Sequence, residues 1–120
     1  MRALVVDDDE TFCQFLAEVL KSRGMDVLWT TDGLKGYETS LYESYDLFIL
    51  DQRMPLVLGT ELIEDLKHDN PKAKIILISA FADEALQDET ENFGVPLLSK
   101  PFSANRLLEV VETVLRDEDK

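Results

Sequence analysis

Three times in this chain a run of four apolar residues stops abruptly at side chains able to do chemistry. Leu47-Phe48-Ile49-Leu50 ends on Asp51, Ala3-Leu4-Val5-Val6 on Asp7-Asp8-Asp9-Glu10, and Ile75-Ile76-Leu77-Ile78 on Ser79-Ala80. A weaker run, Val95-Pro96-Leu97-Leu98-Ser99, ends on Lys100-Pro101. Unbroken runs of this length suit strands covered on both faces, as in a parallel sheet. Open parallel sheets bind ligands just beyond the carboxyl ends of their strands. If these strands lie parallel in one sheet, their ends gather Asp7, Asp8, Asp51, Ser79 and Lys100 into one pocket.

The segments between the runs read as helices. Phe12, Phe15, Leu16, Val19 and Leu20 fall on one face of a first helix that Gly24 ends. Met25 to Thr30 reads as a further strand with Val27 and Trp29 on one face, and Thr31-Asp32-Gly33 signals the start of a second helix whose stripe is Leu34, Tyr37 and Leu41. Gly59 is expected to free the backbone to turn into a third helix, which packs Leu62, Ile63 and Leu66 and stops at Asn70-Pro71. A fourth, about Asp83 to Phe93, has little to bury beyond Ala85, Leu86 and Phe93, the property of an element that shifts between states. Ser103 caps a fifth, with a stripe of Leu107, Leu108, Val111, Val114 and Leu115. A β-α unit repeated in this way predicts a three-layer, doubly wound α/β fold with right-handed crossovers. The 120 residues read as one domain, with a core over about 2–116 and a polar tail at 117–120.

Charge narrows the function. Twelve Lys and Arg against 25 Asp and Glu leave a formal charge of −13, which repels a phosphate backbone and argues against direct nucleic-acid binding. A divalent cation or a basic protein surface suits the chain better. No apolar signal segment follows Met1 and no run is long enough to span a membrane, so a cytoplasmic protein is expected. Cys13 and His68 lack partners at metal-ligand spacing and read as non-functional; Trp29 reads as core, and Asp9 and Glu10 as favouring the positive start of the first helix.

Three carboxylates in one pocket repel one another, each pair by on the order of 4 kcal/mol at about 4 Å and an effective dielectric near 20. A hard cation offsets that repulsion, and Mg²⁺ typically takes one or two carboxylates, waters and phosphate oxygens. With Asp7, Asp8 and Asp51 holding it, a carboxylate oxygen of Asp51 can attack phosphorus and form an aspartyl phosphate. The Lys100 ammonium, the Ser79 hydroxyl and nearby backbone amides then suit the remaining phosphoryl oxygens. Arg53, two positions after Asp51, is no acid/base for rapid hydrolysis of the adduct.

In this order and spacing, Val6-Asp7-Asp8, Asp51-x-x-Met54-Pro55-x-x-x-Gly59, Ser79-Ala80 and Lys100-Pro101-Phe102 resemble the receiver domain of two-component response regulators, the CheY-like superfamily. The resemblance covers residues 2 to 116. It implies a flavodoxin-like (βα)5 fold of strand order 2-1-3-4-5. It also implies that Asp51 is the phosphoacceptor, that Asp7 and Asp8 hold Mg²⁺ (with Mn²⁺ able to substitute) and that the Arg53 carbonyl is a further ligand. Ser79, followed by Ala80, would be the switch hydroxyl, Lys100 the phosphoryl contact, and Lys100-Pro101 a cis bond. Leu97 stands where the family usually has a switching Tyr or Phe. The resemblance implies a bacterial, cytoplasmic signalling module rather than an enzyme with an external product. A histidine kinase or histidine phosphotransfer protein would phosphorylate it, and its helix 4–strand 5–helix 5 surface would regulate a partner or an attached output domain.

Two readings go further. Arg53 and Phe81 sit two positions after Asp51 and Ser79, where water would approach, and are expected to tune the lifetime of the phosphorylated form. From Ile75 to Ser99 there is no Lys or Arg, while the fourth helix carries Asp83, Glu84, Asp88, Glu89 and Glu91. A monomer or weak dimer is therefore expected, with a basic partner where one meets that helix. Among competitors, an aspartyl-phosphate phosphatase would want an acid/base where Arg53 stands. An unphosphorylated interaction domain would tend to lose the acidic pair or the lysine, and a flavin module would need a phosphate loop after the first strand.

Overall fold

The computed structural model describes residues 1–116; the tail expected at 117–120 lies outside the described residues. Five β-α units follow one another: β1 Arg2–Val6, α1 Glu10–Lys21, β2 Asp26–Thr30, α2 Gly33–Tyr42, β3 Leu47–Asp51, α3 Gly59–Asp69, β4 Ile75–Ser79, α4 Glu84–Phe93, β5 Leu97–Ser99 and α5 Ala104–Arg116. All neighbouring strands pair parallel, in the order β2-β1-β3-β4-β5. β1, β3 and β4 are the three apolar runs, buried almost throughout because helices cover both faces.

Alternation along the strands divides the core in two. Ala3, Val5, Leu47, Ile49, Ile76 and Ile78 face α1 and α5. Leu4, Val6, Phe48, Leu50, Ile75 and Leu77 face α2, α3 and α4. The stripes of α1, α3 and α5 pack as their periodicity predicts, with Val110 also buried in α5. Ser103 Oγ accepts from the Arg106 amide at 3.1 Å, the expected cap. Gly24 and Gly94 adopt φ of 81° and 69° where α1 and α4 end, a backbone region open to glycine.

Three expectations are corrected. In α2, Leu34 and Leu41 are more than half exposed; the helix instead lies on the sheet through Gly36, and Gly33 meets Val57 and Met54 of the loop before α3. A Cβ on Gly36 would stand 2.7 Å from Val6 Cγ2, so bare backbone is what lets the helix settle that close. In α4, Ala85 is exposed and Thr90 is buried with Leu86, its hydroxyl donating to the Gln87 carbonyl at 3.0 Å. Gly59 does not take a positive φ. Its role is close approach, because a Cβ there would stand 2.6 Å from the Asp51 carbonyl oxygen and 2.6 Å from Leu77 Cδ1. Gly59→Ala should therefore push α3 off the end of β3 and destabilise the fold by about 1–3 kcal/mol, measured by urea unfolding; an unchanged midpoint would show that the helix can shift freely.

Candidate functional site

β1 and β3 carry their carboxylates to the same edge of the sheet. Asp7 follows β1, tied by its amide to the Thr30 carbonyl at 3.2 Å, and is fully buried. Asp51, the last residue of β3, is 5% exposed, whereas Asp8 is exposed. One carboxylate oxygen from each of Asp7, Asp8 and Asp51 lies within 4.8 Å of the others. Lys100 comes to them from the end of β5, where its amide donates to the Ser79 carbonyl at 2.8 Å. Its Nζ donates to Asp7 Oδ2 at 2.8 Å and stands 3.4 Å from Asp51 Oδ1. The other Asp7 oxygen accepts from the Asp9 amide at 2.9 Å.

The electrostatics follow from that placement. Burial, and then the charge of Asp7, push the Asp51 carboxyl up to about 7, with Asp8 adding to the effect and Lys100 opposing it. Burial alone would lower the Lys100 ammonium, but its hydrogen bond to Asp7 and the charges of Asp51 and Asp7 outweigh it and leave the group raised. Lys100 therefore stays charged while Asp51 sits near a protonation boundary. A divalent cation among the three carboxylates relieves the like-charge repulsion, and this all-oxygen donor set fits Mg²⁺.

Ser79 ends β4 and is buried. In the β3–β4 register Asp51 lies opposite Ile78, so Ser79 is one residue further along the neighbouring strand. Its Oγ accepts from the Phe81 amide at 3.0 Å, which leaves its own O–H free to donate. Ala80 follows, exposed. Beyond Asp51, Gln52 fixes the loop by accepting from the Thr60 amide at 2.9 Å and donating to Thr60 Oγ1 at 3.3 Å. Arg53 and Phe81 are one unit: the guanidinium carbon lies 4.9 Å from the ring centroid, a cation–π stack on the rim. Leu97 pairs with Leu77 and is half-buried against the α3 and α4 side of the core. Lys100-Pro101 is cis.

One site residue escapes the sequence reading. Phe12 belongs to the apolar stripe of α1, yet its ring lies 4.4 Å from Lys100 Nζ and meets Phe102 edge-on, with centroids 5.4 Å apart. It forms an apolar wall beneath the ammonium. Periodicity cannot separate such a ring from core; only its place in the first turn after Asp7 hints at it. Cys13 donates its thiol to the Asp7 carbonyl at 3.1 Å, and burial pushes that thiol up to about 12, so it stays protonated and unreactive. Asp9 caps α1 by accepting from the Phe12 amide at 3.2 Å. Trp29 is half-buried in the core, and His68 is exposed on α3, 3.6 Å from Asp69.

Comparison with known proteins agrees with this geometry. The profile of the family described as "Response regulator receiver domain" matches residues 3–112. A response regulator receiver protein of Anaeromyxobacter sp. (strain Fw109-5) is 33% identical over 110 residues, which is 91% of this chain and 46% of that protein. The DNA-binding dual master transcriptional regulator RpaA of Synechocystis sp. is 30% identical over 99% of this chain and 51% of its own length. The chain thus spans about half the length of the curated relatives it matches. Among solved structures, a CheY-like response regulator receiver domain protein of Methanospirillum hungatei superposes with a TM-score of 0.92 at 26% identity, over 98% of this chain and 95% of that one. TrrA of Thermotoga maritima, solved in complex with Mg(2+)-BeF, superposes with a TM-score of 0.85 at 29% identity, over 95% and 98% respectively.

Proposed function

Because the chain belongs to the response regulator receiver domain family, we propose that it is a phosphoacceptor signalling module in which Asp51 takes a phosphoryl group from a histidine kinase or histidine phosphotransfer protein. The observation that carries this reading is the Lys100 ammonium placed between the carboxylates of Asp7 and Asp51, at 2.8 and 3.4 Å, on the carboxyl edge of the sheet. Asp7, Asp8 and Asp51 would hold Mg²⁺, or Mn²⁺ in its place, with the Arg53 carbonyl as a further ligand; the Mg(2+)-BeF complex of the Thermotoga relative supports this choice. When bound, the metal offsets charge on the transferring phosphoryl oxygens.

The chain's own residues supply the rest. A carboxylate oxygen of Asp51 forms a bond to phosphorus as the donor's P–N bond breaks, and the electron pair stays on the imidazole nitrogen. Lys100 stays protonated and donates to one phosphoryl oxygen, while the Ser79 hydroxyl and the backbone amide of Ala80 serve another. Receiver domains are signalling modules, and this one would catalyse only part of its own phosphorylation and dephosphorylation. Its output would run through α4, β5 and α5. The scant burial of α4, Leu86 and Thr90 in the core, supports a movable element, and Leu97 replaces the usual ring with a packed aliphatic. The exposed acids of α4 favour a basic partner and a monomer or weak dimer. The greater length of the relatives supports an attached output domain, with residues 3–112 as a single receiver unit in the cytoplasm.

Intact mass after incubation with Mg²⁺ and acetyl phosphate tests the reading. A gain of about 80 Da, one phosphoryl group, should require Mg²⁺ and vanish in Asp51→Asn; no adduct from this donor or a phosphohistidine donor would leave an unphosphorylated interaction domain. Once the adduct is formed, Arg53→Ala should change its half-life several-fold by opening the rim to water and releasing Phe81; an unchanged half-life would remove the lifetime role.

A further inference from the structure

The loop that leaves Asp51 holds two leucines that local physics disfavours. Leu56 has φ 74°, the one positive value outside glycine among the described residues, and its side chain is 90% exposed. The left-handed region suits glycine or asparagine, and no burial offsets a branched aliphatic there. Leu58 occupies the N-cap of α3, where Ser, Thr, Asp or Asn would accept a hydrogen bond and leucine accepts none. It too is exposed.

The loop is nevertheless firmly held. The Gly59 amide donates to the Gln52 carbonyl at 3.0 Å, Arg53 and Leu58 bridge antiparallel, Met54 is buried, and Val57 packs on Gly33. Met54 and Val57 thus turn inward, while Leu56 and Leu58 are displayed outward. Arg53 carries the same rim on to the exposed ring of Phe81. An exposed arginine and an aromatic ring are residue types enriched at binding interfaces, and the two leucines extend them with exposed apolar surface.

We propose that Leu56 and Leu58 form an apolar docking knob for the phosphodonor protein, which presents an apolar face beside its phosphohistidine. This rests on Asp51 being the phosphoacceptor. Chemistry selects the occupant: the donor's phosphorus must come to about 3–3.5 Å from an Asp51 oxygen, so a protein donor necessarily covers the rim that this loop forms. Charge selects the contact. The chain is strongly acidic, and an apolar knob gives attraction that does not depend on a basic donor.

The test compares two donors on wild type, Leu56→Gly, Leu58→Ser and the double variant. One is acetyl phosphate; the other is an autophosphorylated histidine kinase core selected for transfer to wild type. Both substitutions restore the residue the backbone favours, so melting temperatures should hold or rise. Rates with acetyl phosphate should stay within about twofold, while KM for the kinase rises about tenfold or more in the double variant at unchanged maximal rate, as for lost hot-spot contacts. The ratio should persist at high salt, and Leu41→Ser, an exposed leucine at the far end of α2, should leave KM unchanged. Equal KM values, or the same loss from Leu41→Ser, would overturn the proposal. Failure of wild type with acetyl phosphate and with every kinase core screened would instead refute Asp51 as phosphoacceptor.

Discussion

At pH 8 in chelator-treated buffer, Asp51→Asn is expected to be more stable than wild type by about 4 kcal/mol, since one pKa unit is worth about 1.4 kcal/mol. Burial and the charge of Asp7 raise the Asp51 carboxyl to about 7, whereas in the unfolded chain it returns to about 3.9. Between these values the folded protein keeps a proton that the unfolded chain has lost. The unfolded state binds fewer protons in that window, so stability falls as pH rises from about 4 to about 7, and the full penalty stands above it. Asparagine cannot ionise and escapes the penalty, so the variant's advantage should shrink as pH falls and vanish near pH 4. Added Mg²⁺ should narrow the gap from the other side, because a cation that binds only the folded state stabilises wild type by mass action. Urea unfolding at pH 8, 6 and 4.5, with and without Mg²⁺, reads all of this. Equal stability at pH 8, or a gap that ignores pH, would show that Asp51 is not an uncompensated buried charge.

The same physics explains what was legible in the sequence. A strand covered on both faces must be apolar until it emerges, so the places where β1, β3 and β4 turn polar mark the edge of the sheet, and Asp7, Asp51 and Ser79 could be placed there before any coordinates. Lys100 followed from the same rule. What escaped depends on shape. Gly33 and Gly36 carry no hydrophobic signal, yet Gly36 is how α2 reaches the sheet and Gly33 how it meets the loop before α3, and Leu34 and Leu41 mislead because an exposed leucine looks like a buried one in a periodicity. Thr90 is buried because its hydroxyl is satisfied within its own helix. Phe12 joins the site because α1 starts close behind Asp7 and Phe102 meets it edge-on from the loop before α5. A glycine before α3 suggests backbone freedom, but the value of Gly59 is the space its missing Cβ leaves behind Asp51.

Lys100→Met should have the opposite effect to Asp51→Asn, a destabilisation of about 3–5 kcal/mol at neutral pH, typical of removing one partner from a buried ion pair. Methionine keeps the length and apolar volume that pack on Phe12 and removes only the charge. Asp7, with no exposed surface, would lose its 2.8 Å partner, and Asp51 would lose the one cation that opposes its upward shift. Asp51, its upward shift no longer opposed, would then hold a proton at neutral pH, and Asp7 would be left as a buried charge without its partner. A second substitution that removes that charge repairs the damage: Asp7→Asn in the Lys100→Met background should recover most of the loss, although alone it leaves Lys100 without its closest carboxylate. The coupling in the double-mutant cycle should therefore be large and favourable. Chemistry should not recover with stability, since the double variant lacks both the ammonium that meets the phosphoryl group and one of the acids of the metal site. Urea midpoints for the four proteins, alongside their acetyl phosphate adducts by mass, separate the two roles. A loss below about 1 kcal/mol in Lys100→Met, the worth of a surface pair, would show the bridge to be solvent-screened, and so would a double variant no more stable than Lys100→Met. In either case Lys100 would serve phosphoryl binding without holding the crevice together.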